Sequence, residues 1–98
     1  MSDHGSRTKK AARLEALLGS LEHHTQRATY GAVGGLVGLP AQSVMHGRPK
    51  TPRNSWVVSA ERELPTGYSP AERHPNLLAI RSVINVAADL ERWWKLHP

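Results

Sequence analysis

Neither cysteine nor phenylalanine occurs among the 98 residues of this chain. Without cysteine there is no disulfide scaffold, no thiolate zinc site and no cysteine nucleophile. A chain that uses no disulfide fits a reducing compartment, so the cytoplasm is the expected setting. Aromatic residues amount to 5%, three Trp and two Tyr. The core must therefore be aliphatic, with tryptophan used in a few places. Long apolar runs are missing as well. The longest, Tyr30 to Ala41, falls well short of the ~20 residues of a membrane span and is interrupted by Pro40. No membrane partner is expected, and the polar stretch Met1 to Lys10 has no apolar segment of the kind found in signal peptides.

Signatures of catalysis are equally sparse. The six histidines include the neighbours His23 and His24, which point about 100° apart on a helix and do not chelate together. There is no H-x-x-x-H pair and no carboxylate pair suited to acid–base work. No G-x-S-x-G elbow supports a Ser-His-Asp triad, and the glycines match neither G-x-G-x-x-G nor G-K-[ST]. The expectation is a protein that is not an enzyme and takes no cofactor or metal. A small hydrolase or nuclease would need His46 or His74 to meet a carboxylate in a cleft.

What the chain does have is positive charge: 13 Lys and Arg against 8 Asp and Glu, a net charge of +5. Nine of the basic residues are arginine, whose planar fork suits phosphates and base edges. A polyanion, duplex DNA first, is the expected partner. A chain of this length buries roughly 60–65% of its unfolded surface, enough for one modest core. The domain reading is a disordered arm over residues 1–8 followed by a single domain over residues 9–98.

Along the chain, Thr8 is a candidate N-cap for a helix from about Lys9 to His24. Leu14, Leu17, Leu18 and Leu21 fall at i, i+3, i+4 and i+7 and form one stripe. Arg7, Lys9, Lys10 and Arg13 gather at its start, as a solvated face or as a phosphate-contacting arm. Thr29 opens a second helix, Tyr30 to Val37. Four glycines, Gly31, Gly34, Gly35 and Gly38, make this a poor helix by propensity, so tertiary contact must hold it, and close approach of another helix or a ligand backbone would explain the missing side chains. Gly38-Leu39-Pro40 breaks it, and a short third helix from Pro40 to His46 ends at Gly47. Two short helices joined by a glycine-containing turn have the shape of a helix-turn-helix. Gln42, Ser43 and His46 would face outward, either as readers of base edges or as ordinary surface polar residues.

The segment Arg48-Pro49-Lys50-Thr51-Pro52-Arg53-Asn54 spaces three cations with two prolines. It reads as a stiff phosphate contact or as a solvated linker. Trp56-Val57-Val58 predicts a strand, and Val83-Ile84 a second. Ser69-Pro70-Ala71-Glu72 has the form of a capping box. Asn85 could cap a last helix, Val86 to Leu96, whose adjacent Trp93 and Trp94 cannot both point fully inward.

The middle of the chain resembles the DNA-binding domain of the alkylguanine-DNA alkyltransferases and their non-catalytic relatives, the alkyltransferase-like proteins. Ala28-Thr29-Tyr30-Gly31-Ala32-Val33 is similar to the V-[TS]-Y-G-x-[IV] that opens the family's helix-turn-helix. Leu36 to Leu39 resembles the turn, Ala41-Gln42-Ser43-Val44 the A-R-A-V recognition helix, and Val57-Val58 with Gly67-Tyr68 the strand and glycine loop after P-C-H-R-V-V. Leu77-Leu78 resembles the domain's final L-L. The similarity spans about Arg27 to Ile84. It implies DNA binding, with Tyr30 against a displaced base or its phosphate. The sequence departs from the family at the acceptor position. Asn54, or Arg53 on a one-residue shift, stands where the acceptor cysteine would be, and Ser55 and Trp56 take the His and Arg positions. The tryptophan that non-catalytic relatives usually carry in place of the cysteine is absent there, although Trp56 is close by. Gln42 stands where the family inserts an arginine into the base stack. The T-Y-G-A-V, P-R-N-S-W-V-V and L-P-T-G-Y pattern also resembles a group of small bacterial proteins, a likeness that implies no activity.

Taken together, these features predict a small α+β domain of winged helix-turn-helix type, mostly helical with a two- or three-stranded sheet. Its expected function is non-enzymatic binding of duplex DNA, with modified or damaged duplexes as candidate targets, through Arg27, Tyr30, Gln42, Ser43, His46, Arg48, Lys50 and Arg53. The alternative is a protein-interaction module on the same scaffold, using Trp93 or Trp94 and the stiff Pro49–Pro52 segment.

Overall fold

A computed structural model of the chain describes residues 3–97. Helix α1 spans Asp3–His23. It continues through Thr8 instead of starting there. Met1 and Ser2, part of the arm expected over residues 1–8, lie outside the described residues. The leucine stripe does what its spacing predicts. Leu14, Leu17, Leu18 and Leu21 are all buried and form one wall of the core.

After α1 the chain turns through Thr25, whose φ is 51°, into strand β1, Arg27–Thr29. Thr29 ends the strand and caps helix α2, Tyr30–Val37, its side chain accepting from the Ala32 backbone N–H at 3.1 Å. The cap and both helix bounds agree with the sequence expectation. The tertiary explanation for the glycines holds at Gly34 and Gly35, whereas nothing lies within 4 Å of a Cβ added at Gly31. A Cβ on Gly34 would lie 2.5 Å from the Leu39 carbonyl oxygen, and one on Gly35 would lie 2.9 Å from the Ala87 Cβ. The loop and the last helix occupy the space where side chains would otherwise be. Gly38, with φ 82°, then closes α2 by donating from its N–H to the Gly34 carbonyl, the left-handed stop that glycine adopts without strain.

The expected third helix is not α-helical. Ala41–Ser43 is a 3-10 turn, and Ser43, Val44 and His46 donate to Pro40, Ala41 and Ser43, each three residues back. Between Pro40 and Gly47 (φ 79°) there is too little chain for an α-helical nucleus to propagate. A second 3-10 turn spans Pro52–Asn54, and a third spans Pro70–Glu72, where the Glu72 carboxylate accepts from the Ser69 backbone N–H at 2.7 Å.

Strand β2 is Val57–Val58, strand β3 is Val83–Ile84, and helix α3 runs Ala87–Leu96. The sheet order is β2-β1-β3, with both neighbours parallel to β1. Ala28 pairs with Val57 on one side and with Ile84 on the other. The domain is thus α+β with three α-helices and a three-stranded sheet, about half helical. A wing is an antiparallel hairpin, whereas these strands all run the same way, and the winged-helix assignment is not confirmed. An all-parallel sheet is covered on both faces, and β1 and β2 are accordingly buried throughout. Trp56, wholly buried, is the largest side chain in the core and lies against the His74 ring at 4.8 Å.

Trp93 and Trp94 are both half-buried and both tied into the domain. Trp94 donates from its indole N–H to Ser20 Oγ at 3.0 Å and lies under the Arg13 guanidinium, and Trp93 stacks on His97 at 4.9 Å.

Candidate nucleic-acid interface

Tyr30 follows the Thr29 cap and so projects from the first turn of α2. Its phenol oxygen accepts from the Thr66 backbone N–H at 3.0 Å, which fixes the ring against the loop between β2 and β3. The 3-10 turn after α2 faces it. Tyr30, Ala41, Gln42, Met45, His46 and Thr66 line one open cleft of about 490 Å³, within the size range of small-molecule sites. The aromatic ring, the Ala41 methyl and the Met45 thioether supply apolar surface. The Gln42 amide and the His46 imidazole supply donors and acceptors. Tyr30, Gln42 and His46, singled out from separate parts of the sequence, are therefore brought together. Ser43 is exposed on the same turn but does not line the cleft.

Arg27 does not join them. It is 4% exposed, and its guanidinium donates to the Glu63 carbonyl at 2.7 Å, the Ile80 carbonyl at 3.0 Å and the Arg81 carbonyl at 3.2 Å. Its Nε is buried without a partner. This arginine ties two loops to the central strand and has no free face for a phosphate.

Arg48 and Arg53 are exposed in part, but both are ion-paired with Glu15 on α1. The Arg48 guanidinium hydrogen-bonded to it, with Arg53 close by, holds the Glu15 carboxyl below the usual glutamate range. Lys50 is exposed and has no ion pair among the described residues. Its ammonium group lies over Gly67, where an added Cβ would meet Nζ at 3.1 Å. Hydrogen bonding from the Ser69 backbone N–H lowers the Glu72 carboxyl, and Lys50 adds to the effect. Of the three cations in the Pro-rich segment, Lys50 alone has no ion pair among the described residues.

The acceptor-position residues of the family resemblance serve packing. Asn54 is buried, with its side-chain amide donating to the Pro49 carbonyl at 3.0 Å and its own carbonyl accepting from the Tyr68 hydroxyl at 3.1 Å. Burial, with the nearby Tyr30 and Glu72 contributing, raises the Tyr68 phenol above its usual value. Ser55 Oγ donates to the Pro52 carbonyl at 2.7 Å and accepts from the His74 N–H. Neither His46 nor His74 is ion-paired with a carboxylate among the described residues. Among those residues no group of three or more His, Asp or Glu is arranged to hold a metal ion, and no helix is long and apolar enough to cross a membrane.

The sequence reading missed Glu15, Met45 and Thr66 as members of this surface. Thr66 belongs to the L-P-T-G-Y loop already singled out, but Glu15 lies 33 residues from Arg48, and no local signal links them. In comparisons with known proteins, no family model, no curated protein and no solved structure matches the chain.

Proposed function

We propose that this protein is a non-enzymatic binder of duplex DNA, acting in the cytoplasm, and that the cleft between Tyr30 and the Ala41–His46 turn receives a base or sugar edge. One observation carries the reading: a single cleft joins an aromatic ring, an amide and an imidazole. These are groups that stack on and hydrogen-bond to bases. The adjoining segment carries Arg48, Lys50 and Arg53 for the phosphates. The resemblance to the alkyltransferase DNA-binding domain supports the same reading and adds a substrate class, duplexes bearing a modified guanine. With no cysteine in the chain, alkyl transfer to a thiol is not available, so the bound base is recognised and left unchanged.

Fluorescence anisotropy with a labelled duplex, with and without one O6-alkylguanine and across a salt series, tests the proposal. Binding with a steep salt dependence supports it, and each lost phosphate contact lowers the log–log slope by roughly 0.9. Preference for the alkylated duplex, lost in Tyr30→Ala, supports the base-recognition part. No binding at low salt refutes it.

A second reading, a protein-interaction module, is favoured by a different feature. Leu78 is 65% exposed and lines a cleft with Leu64, Arg27, Arg62, Arg81 and the acidic Glu63. Apolar side chains beside three arginines and one glutamate leave the cleft net basic, which suits an acidic protein segment. The surface is a different one from Trp93 and Trp94, which are half-buried, Trp94 hydrogen-bonded to Ser20 and Trp93 stacked on His97.

A further inference from the structure

The two arginines of the Pro-rich segment close on the two oxygens of a single carboxylate. Arg48 Nη1 meets Glu15 Oε2, and Arg53 Nη2 lies 3.3 Å from Glu15 Oε1. Two guanidinium groups converging on one oxyanion make a phosphate-binding arrangement, because a phosphodiester offers its unbridged oxygens to the same N–H forks that grip a carboxylate. The site is open to a large partner: the Arg48, Arg53 and Glu15 side chains are 23%, 43% and 47% exposed. The braces of the arginine-bearing loop do not involve Glu15. The loop that carries the arginines is braced from within by the Asn54 amide on the Pro49 carbonyl and by Ser55 Oγ on the Pro52 carbonyl. Glu15 comes from a different element, the exposed side of α1, and can swing away while the loop stays.

We propose that Glu15 is an internal occupant of a phosphate site built by Arg48 and Arg53, and that a DNA phosphodiester displaces it on binding. The proposal rests on the DNA-binding reading above and adds its regulation. Unbound, the protein masks two of its cations, so weak polyanions are excluded. A duplex that also engages Lys50 and the Tyr30 cleft has enough additional contacts to open the site. Exposed ion pairs are individually weak, which makes the displacement readily reversible.

The test compares the full chain with Glu15→Gln, and with Glu91→Gln as a control for the same change in net charge on α3. The binding assay uses one labelled duplex at several salt concentrations. Glu15→Gln should bind about two- to tenfold more tightly at low salt, with an unchanged log–log salt slope, because the same arginines meet phosphate in both proteins. Glu91→Gln should change affinity less. In an Arg48→Ala/Arg53→Ala background, the gain from Glu15→Gln should vanish. If the wild-type protein binds and Glu15→Gln binds no tighter than Glu91→Gln, or if the gain survives removal of both arginines, the internal-occupant proposal is overturned while DNA binding stands. If neither the wild type nor Glu15→Gln binds the duplex, the DNA reading itself fails and this proposal falls with it.

Discussion

Replacing Arg27 with methionine keeps most of the aliphatic stem and removes the guanidinium, so it isolates the three hydrogen bonds to the Glu63, Ile80 and Arg81 carbonyls. Hydrogen bonds from a charged donor contribute ~1.5–3 kcal/mol each. The low end applies here, and the total must be reduced because Ile80 and Arg81 are exposed and their carbonyls recover water. The orphaned Nε disappears in the same substitution and offsets a little more. The expected loss is about 3 kcal/mol, a large share of the ~5–15 kcal/mol that holds a domain of this kind together. Urea unfolding followed by tryptophan fluorescence reads it directly, since Trp56 is wholly buried. The thermal midpoint should fall by roughly 15 °C. At a temperature where the variant remains folded, its affinity for duplex DNA should match that of the wild type. A variant with unchanged stability and reduced DNA affinity would falsify the structural assignment and return Arg27 to the binding surface.

Further outcomes follow from the same geometry. Gly31→Ala should stabilise the chain by up to ~1 kcal/mol, because nothing lies within 4 Å of the added Cβ and helix propensity improves. Gly34→Ala should instead destabilise by ~1–3 kcal/mol, since its Cβ would press on the Leu39 carbonyl. Equal effects at the two positions in a denaturant series would contradict the packing described. Trp94→Phe should cost ~1 kcal/mol through loss of the hydrogen bond to Ser20, and Ser20→Ala made in that background should add little. The Glu15 carboxyl is lowered in the folded chain, so its contribution is present above the ordinary glutamate range and is lost as pH falls through the folded value. Unfolding curves of the wild type and Glu15→Gln should therefore differ by at most ~1 kcal/mol near neutral pH, given the solvent screening, and converge only once the pH has fallen through the lowered folded value. A gap that widens in acid would mean that the pair does not stabilise the fold.

The parts of this fold that were legible in sequence are those governed by local chemistry. The leucine spacing in α1 requires only one helical face, the Thr29 cap only its own next turn, and the Ser69–Glu72 box only four consecutive residues. Strand β1 has no signature in sequence because three residues, Arg27-Ala28-Thr29, are too few to show a period. It is a strand only because Val57 and Ile84 flank it on either side. The turn after α2 has at both ends the breakers of a helix, and the few residues between them make it a 3-10 turn. The buried Arg27 reverses the ordinary rule for a charged side chain and depends on carbonyls from loops far along the chain. The candidate site divides in the same way. The residue types of the Tyr30 cleft were readable, but its Thr66 wall, Met45 and the Glu15 partner were matters of tertiary placement.

The charge of the chain overstates what it presents to a polyanion. Of the four cations assigned from sequence to the DNA surface, one is buried and two share the single carboxylate of Glu15, leaving Lys50 as the one with no ion pair among the described residues. If the arginines stayed paired when DNA bound, Lys50 would be the sole phosphate contact of the segment, and Lys50→Ala would remove about 0.9 from the salt slope while Arg48→Ala and Arg53→Ala removed nothing. If Glu15 is displaced, each of the three substitutions should lower the slope by a similar amount. The three slopes, measured on one duplex, thus separate an ion pair that only braces α1 against the loop from one that yields to phosphate. Displacement predicts equal decrements at residues 48, 50 and 53, and a decrement confined to Lys50→Ala excludes it.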